Sequence, residues 1–114
     1  MTDCIFCKIA AKEIPSKGVF EDDQAFAFWD IHPQAPVHIL LIPKKHFDSI
    51  LAIGDKDLPV LAHLMKLVPK LAKDHGLAAA GFRAVVNTGP QGGQTVDHLH
   101  LHLIGGRQMT WPPG

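Results

Sequence analysis

The sequence predicts an α+β fold: a mostly antiparallel sheet of five strands with one long and one short helix, in one domain spanning residues 1–114. Three observations lead there. Short β-rich runs follow one another without the strand–helix–strand alternation of a parallel sheet. Residues 58–75 repeat their apolar side chains at helical spacing. Residues 98–103 read His-Leu-His-Leu-His-Leu, a period-two pattern that an extended segment converts into two faces.

Residues 4–11 read as the short helix, with Asp3 as its N-cap and Ile5, Phe6 and Ile9 along one side. Pro15 places a turn over 13–17. Residues 19–21 and 25–29 read as two strands joined by the polar turn Asp22-Asp23-Gln24. Pro33 and Pro36 make 31–36 a loop. The apolar run 37–42 reads as a third strand, stopped by Pro43. The long helix buries a stripe of Leu61, Leu64, Met65, Val68 and Ala72. Asp55 or Asp57 caps its start, Gly76 takes the left-handed position after its end, and Pro69 kinks it. Residues 82–87 form the fourth strand, 88–94 a glycine-rich loop and 98–104 the fifth strand.

The 11 basic and 11 acidic residues cancel to a formal charge of zero. That balance argues against a nucleic-acid or membrane-surface partner, while leaving room for a single nucleotide in a pocket. No apolar run nears the ~20 residues of a membrane helix, and Met-Thr-Asp-Cys is unlike a signal peptide. The expected location is the cytoplasm. Two cysteines three apart do not make a disulfide framework.

If His98, His100 and His102 share a strand face, the leucines between them bury in a core and the rings look into something polar. Neighbouring imidazoles oppose one another's protonation. One ring then offers a lone pair to an electrophile while another holds a proton for a leaving group. The loop Gln91-Gly92-Gly93-Gln94-Thr95 precedes the row; it is an ordinary turn or an anion cradle with a hydroxyl. It lacks the lysine and helix of a P-loop. His38 lies in an apolar strand, where a buried structural ring is the common case. His63 and His75 read as plain helix surface. Cys4 and Cys7 form a Cys-x-x-Cys pair, which is either a metal half-site needing two more ligands or two reduced thiols.

The row resembles the signature of the histidine-triad family of nucleotide-binding proteins. So do Cys-Ile-Phe-Cys-Lys-Ile-Ala (4–10), Phe-Glu-Asp-Asp (20–23), Asp-Ile-His-Pro-Gln-Ala-Pro (30–36), Ile-Pro-Lys-Lys-His (42–46), Gly-Gly-Gln-Thr-Val (92–96), Gly-Gly-Arg-Gln-Met (105–109) and Trp-Pro-Pro-Gly (111–114). Together these resemble its Hint branch, which is phosphoramidase-like. The resemblance implies a homodimer with sheets joined edge to edge. It implies a hydrolase of purine nucleoside 5'-phosphoramidates, conjugates of AMP or GMP. His100 would be the nucleophile, His102 would assist at the phosphate or leaving group, and His98 and His38 would complete the catalytic set.

By the same resemblance, Asp30 and Ile31 hold the ribose, although Asp30 also suits a turn. Asn87, Gly93, Gln94 and Thr95 attend the phosphate with His100 and His102, although Asn87 also suits a strand end. Ile5, Phe6, Ile9 and Ile14 form the wall for the base, compatibly with an ordinary core. Trp111 packs near the partner protomer's site unless the tail is frayed. Cys4, Cys7, His46 and His98 would hold a structural zinc, and the chemical step would need no metal. The competing readings are a nucleotide-binding module with little turnover and a metal-dependent hydrolase. Thr95 stands where the family usually has serine. His32 and Asp97 depart from the pattern, and neither change has an explanation in the sequence.

Overall fold

A computed structural model describes residues 3–114. Its elements are α1 (Ile5–Ala10), β1 (Gly18–Glu21), β2 (Ala25–Trp29), β3 (Val37–Pro43), α2 (Leu58–Asp74), β4 (Phe82–Val85) and β5 (Leu101–Gly105). Two short 3-10 turns, Ile50–Ala52 and Asp55–Asp57, lead into α2. The strands form one sheet in the order β1-β2-β3-β5-β4, and every pairing is antiparallel.

Helices cover both faces of this sheet, whereas the sequence suggested one covered face. β2 and β3 are buried almost throughout, so their alternate residues serve different layers. Ala25, Ala27, Ile39 and Leu41 join Leu99, Leu101 and Leu103 in the core with Leu64, Leu67 and Leu71 of α2. Phe26, Phe28, Leu40 and Ile42 pack with Phe6 and Ile9 of α1 on the other side. The register pairs Leu40 with His102 and His38 with Ile104. The histidine face of β5 therefore opens toward α1.

Several sequence expectations shift. Cys4, not Asp3, is the N-cap of α1, its sulfur accepting the Cys7 N–H. The buried stripe of α2 is Leu64, Leu67, Val68, Leu71 and Ala72, a regular i, i+3, i+4, i+7, i+8 set. Leu61 is half-buried and Met65 is exposed, while Leu67 and Leu71 take the buried positions. Asp57 caps α2 by position only; its carboxylate is occupied by the Gly54 N–H. The helix continues through Pro69, which sits on its exposed side, and Gly76 does take a positive φ of 73°. β4 ends at Val85, so Asn87 lies beyond it.

β5 begins at Leu101, not His98. The β3–β5 ladder closes at Leu41 and Leu101. Beyond it the Leu99 N–H turns to the Phe47 carbonyl, and the His98 ring takes the Pro43 carbonyl. Proline has no N–H with which to extend the ladder. The alternation still holds: Leu99, Leu101 and Leu103 are all buried in the α2 core. His63 and His75 are not plain surface. The His63 ring lies 2.6 Å from the Asp22 carboxylate in the β1–β2 turn. His75 donates from Nδ1 to the Leu71 carbonyl and meets Trp29 edge-on. No helix among the described residues is long and apolar enough to cross a membrane.

Candidate active site

The three rings do not play equivalent parts, because their hydrogen-bond partners differ and set His100 in the opposite tautomer to His98 and His102. His100 Nδ1 lies 2.7 Å from the His98 carbonyl oxygen. A carbonyl only accepts, so Nδ1 carries the hydrogen and Nε2 of the neutral ring keeps its lone pair. His98 Nε2 donates to the Pro43 carbonyl at 2.8 Å, leaving its lone pair on Nδ1. The Gln34 N–H donates to His38 Nδ1, so His38 Nε2 carries a hydrogen and donates it to His102 Nδ1 at 2.9 Å. His102 is left with an N–H at Nε2. Asp30 stands behind this pair, its carboxylate 3.4 Å from His38 Nε2.

His100 and His102 line a cleft of about 280 Å³, together with Ile5, Phe6, Ile9, Ile14, Asp30, Ile31 and Thr95. Pro15, Ser16, Phe28, Trp29, Leu40 and Val96, which the sequence reading did not single out, complete the lining. The ring centroids of His100 and His102 are 5.0 Å apart, closer than the strand repeat suggests, and Phe6 meets His100 edge-on at 5.0 Å. The cleft lining thus combines apolar side chains with two imidazoles, hydroxyl residues and a carboxylate residue. That combination suits a flat base with a charged tail.

Burial pushes the His102 ring down to about 4, reinforced by His100 and His38 and opposed by Asp30. Burial likewise holds His38 below its ordinary value, again opposed by Asp30. Both rings are therefore neutral at pH 7. This bears on a second cluster, Asp30, His38 and His102, whose ligand atoms lie within 4.8 Å of one another. His38 cannot offer Nε2 to a metal while Nδ1 accepts the Gln34 N–H. The cluster is a hydrogen-bond relay.

The remaining expected residues sit elsewhere. Asn87, Gly93, Gln94 and Trp111 do not line the cleft. Gln94 pins the glycine-rich loop, accepting from Gly89 and donating to the carbonyls of Asp48 and Val96. The N–H groups of Gly93 and Gln94 are taken by Pro90 and Gly89. A Cβ at position 92 would stand 2.4 Å from the Thr88 carbonyl oxygen, so only glycine lets the loop close this tightly. Thr95, at the end of the loop, lines the cleft. His32 and Asp97 are exposed. The His32 N–H bonds Asp30, and nothing in the structure explains either residue's departure from the family pattern. Trp111 is 81% exposed on the single chain.

His98 faces away from the cleft. Its Nδ1 lies 3.3 Å from Cys4 Sγ, 3.5 Å from Cys7 Sγ and 3.1 Å from His46 Nδ1. Cys7 Sγ is 3.3 Å from His46 Nδ1. A tetrahedral zinc with N and S ligands sets N···N and N···S edges of about 3.3–3.6 Å, so the four residues fit that ion. The tautomers agree. His46 Nε2 faces the Asp48 carboxylate at 2.7 Å and His98 Nε2 the Pro43 carbonyl, which aims both Nδ1 lone pairs at one point. Asp48 orients a ligand ring in the manner of outer-shell carboxylates; its place two residues after His46 was the signal available in the sequence.

The model of the HIT domain family matches residues 11–109. The chain belongs to the HIT domain family. Its relatives place it in the Hint branch. It is 55% identical to the adenylylsulfatase HINT1 of Arabidopsis thaliana over 113 residues, 96% of this chain and 76% of that protein. It is 53% identical to a 14 kDa zinc-binding protein of Brassica juncea, over 98% of this chain and 100% of that protein. A crystal structure of a HIT family hydrolase from Legionella pneumophila superposes with a TM-score of 0.96 at 54% identity, covering 98% of this chain and all of that one. A histidine triad nucleotide-binding protein from Candida albicans gives 0.83 at 35% identity, covering 96% and 83%.

The neutral His102 has a consequence for stability. Its ring titrates near 4 when folded and near 6.5 when unfolded. The unfolded chain therefore binds the proton first as pH falls. The stability contributed is complete above about pH 6.5 and is lost on the way down to 4. Urea unfolding at pH 7 and pH 5 is expected to show a loss on acidification that His102→Asn reduces; an equal loss in both proteins contradicts the assignment.

Proposed function

We propose that the protein, acting as one HIT domain, hydrolyses the phosphorus–nitrogen bond of purine nucleoside 5'-phosphoramidates through a nucleotidyl group carried on His100. The observation that carries this reading is the Nδ1–H of His100 bound to the His98 carbonyl, which leaves Nε2 as a nucleophile at a cleft fit for a nucleotide. His100 Nε2 forms a bond to phosphorus as the phosphorus–nitrogen bond breaks. The departing nitrogen takes a proton from solvent and leaves as an amine. Water then attacks phosphorus and breaks its bond to His100 Nε2; the water's surplus proton returns to solvent, nucleoside monophosphate is released and His100 is again neutral. As the ring becomes cationic, its Nδ1–H bond to the carbonyl strengthens.

His102 is the second catalytic residue. Its Nε2–H donates a hydrogen bond to a phosphoryl oxygen or to the leaving atom, and His38, with Asp30 behind it, is the positioning residue that fixes that hydrogen. Asp30 accepts ribose hydroxyls, Ile31 covers the sugar, and Ile5, Phe6, Ile9 and Ile14 flank the base. Thr95 binds the phosphate, with Asn87, Gly93 and Gln94 shaping the loop beside it. Cys4, Cys7, His46 and His98 hold a zinc ion, which when bound cross-links α1 to the segment before β5; four protein ligands leave it no open position and no part in the chemical step. The exposed edge of β4, with Phe82 38% exposed, suits a homodimer joined sheet to sheet, with Trp111 reaching the partner's cleft. The setting is the cytoplasm.

A second reading is favoured by the Arabidopsis relative's name: adenylyl sulfate as substrate. Sulfate leaves without a proton, so its release makes little demand on His102. Assay of adenosine 5'-phosphoramidate and adenylyl sulfate side by side tests both. His100→Ala is expected to lower turnover of the true substrate by on the order of 10⁴–10⁶-fold while AMP still binds. Unchanged slow turnover in His100→Ala would identify a binding module instead.

Metal analysis of protein made with zinc available is expected to find about one zinc per chain, lost in the Cys4→Ser/Cys7→Ser double variant. Absence of zinc from the native protein contradicts the metal reading.

A further inference from the structure

The four-ligand cluster and the cleft share parts. Cys4 Sγ accepts the Cys7 N–H at 3.3 Å and so caps α1. That helix is only six residues long, too short to persist without tertiary support. It supplies Ile5, Phe6 and Ile9 to the cleft. His98 points Nδ1 into the cluster while its own carbonyl fixes the His100 ring. Phe6 bridges the two, edge-on to His98 at 6.0 Å and to His100 at 5.0 Å.

We propose that the Cys4–Cys7–His46–His98 cluster is a control site for the cleft: zinc held there raises the cleft's affinity for nucleotide, and nucleotide raises the affinity for zinc. This rests on the zinc and nucleotide readings given above. The physical cause lies in the two Nδ1 atoms of His46 and His98, 3.1 Å apart. Both also face cysteine sulfurs, at 3.3–3.5 Å. A zinc ion would replace these weak contacts with four bonds that meet at one point, and so hold His98 and Cys4 more firmly. When His98 moves, it carries the His100 acceptor with it. When Cys4 moves, α1 loses its cap and the apolar wall shifts. Two sites that bias one set of atoms are coupled, and the coupling is reciprocal.

The test is titration of AMP into the zinc-loaded protein and into protein stripped with a chelator, with far-UV circular dichroism on both. AMP is expected to bind at least about fivefold more weakly to the stripped protein, the low end of common site–site couplings. Chelator competition is expected to show zinc bound more tightly by the same factor when AMP is saturating. His46→Gln removes one ligand and leaves the three that touch α1 and His98. It is expected to bind AMP weakly at low zinc and like the native protein at saturating zinc. Equal AMP affinity with and without zinc, in either protein, overturns the coupling and leaves the zinc and nucleotide readings standing. Zinc that never binds overturns it together with the metal reading, and AMP that never binds overturns it together with the nucleotide reading. Loss of the far-UV sheet signal along with AMP binding also overturns it, since a coupling confined to α1 and His98 leaves the sheet intact.

Discussion

The hydrogen bond from His100 Nδ1 to the His98 carbonyl is the constraint on which the site depends. His98 and His100 are almost completely buried, at 0% and 4% exposure. A buried imidazole is costly unless its polar atoms find partners. Each ring therefore has a dictated partner, and each partner dictates a tautomer. The Pro43 carbonyl takes one hydrogen of His98, and the His98 carbonyl takes one of His100. What is left over is directional: one lone pair toward the thiols and one toward the cleft. Without the His98 carbonyl, nothing would keep the hydrogen of His100 off its nucleophilic nitrogen.

The same logic separates the two functional rings. His100 is held from the backbone, so its lone pair is a property of the fold. His102 is held by a side chain, His38, whose own ring is set by the backbone N–H of Gln34. Burial and two neighbouring rings keep it neutral, yet it still presents an N–H. A donor and a lone pair thus stand 5.0 Å apart by ring centroid, with no need for either to be charged at the start of a cycle.

Much of this was legible in the sequence where the pattern was local. The alternation at 98–103 correctly predicted which leucines enter the core. The Cys-x-x-Cys pair was readable as a metal half-site, to which only the family resemblance added His46 and His98, and the strands came out in order. What failed depended on partners that lie far off in sequence. The start of β5 is set by Pro43 on another strand. The stripe of α2 is turned so that Leu67 and Leu71 pack with Ile39 and Leu41 of the sheet, an orientation that helical spacing alone does not decide. His63 and His75 gained roles from Asp22 and Trp29, both from the first third of the chain. Ser16, Trp29 and Val96 became cleft residues only when the turn after α1, the end of β2 and the glycine-rich loop came together. That the Gln94 side chain bonds Gly89, Asp48 and Val96 has no local sign in the sequence either.

The most direct measurement is mass spectrometry of the protein quenched within a single turnover of adenosine 5'-phosphoramidate. An adenylyl group on the peptide carrying His100, absent from His100→Ala, is the expected result. Adenylate on another residue, or no adduct while product accumulates, would mean that the nitrogen left open by the His98 carbonyl is not the one that reacts.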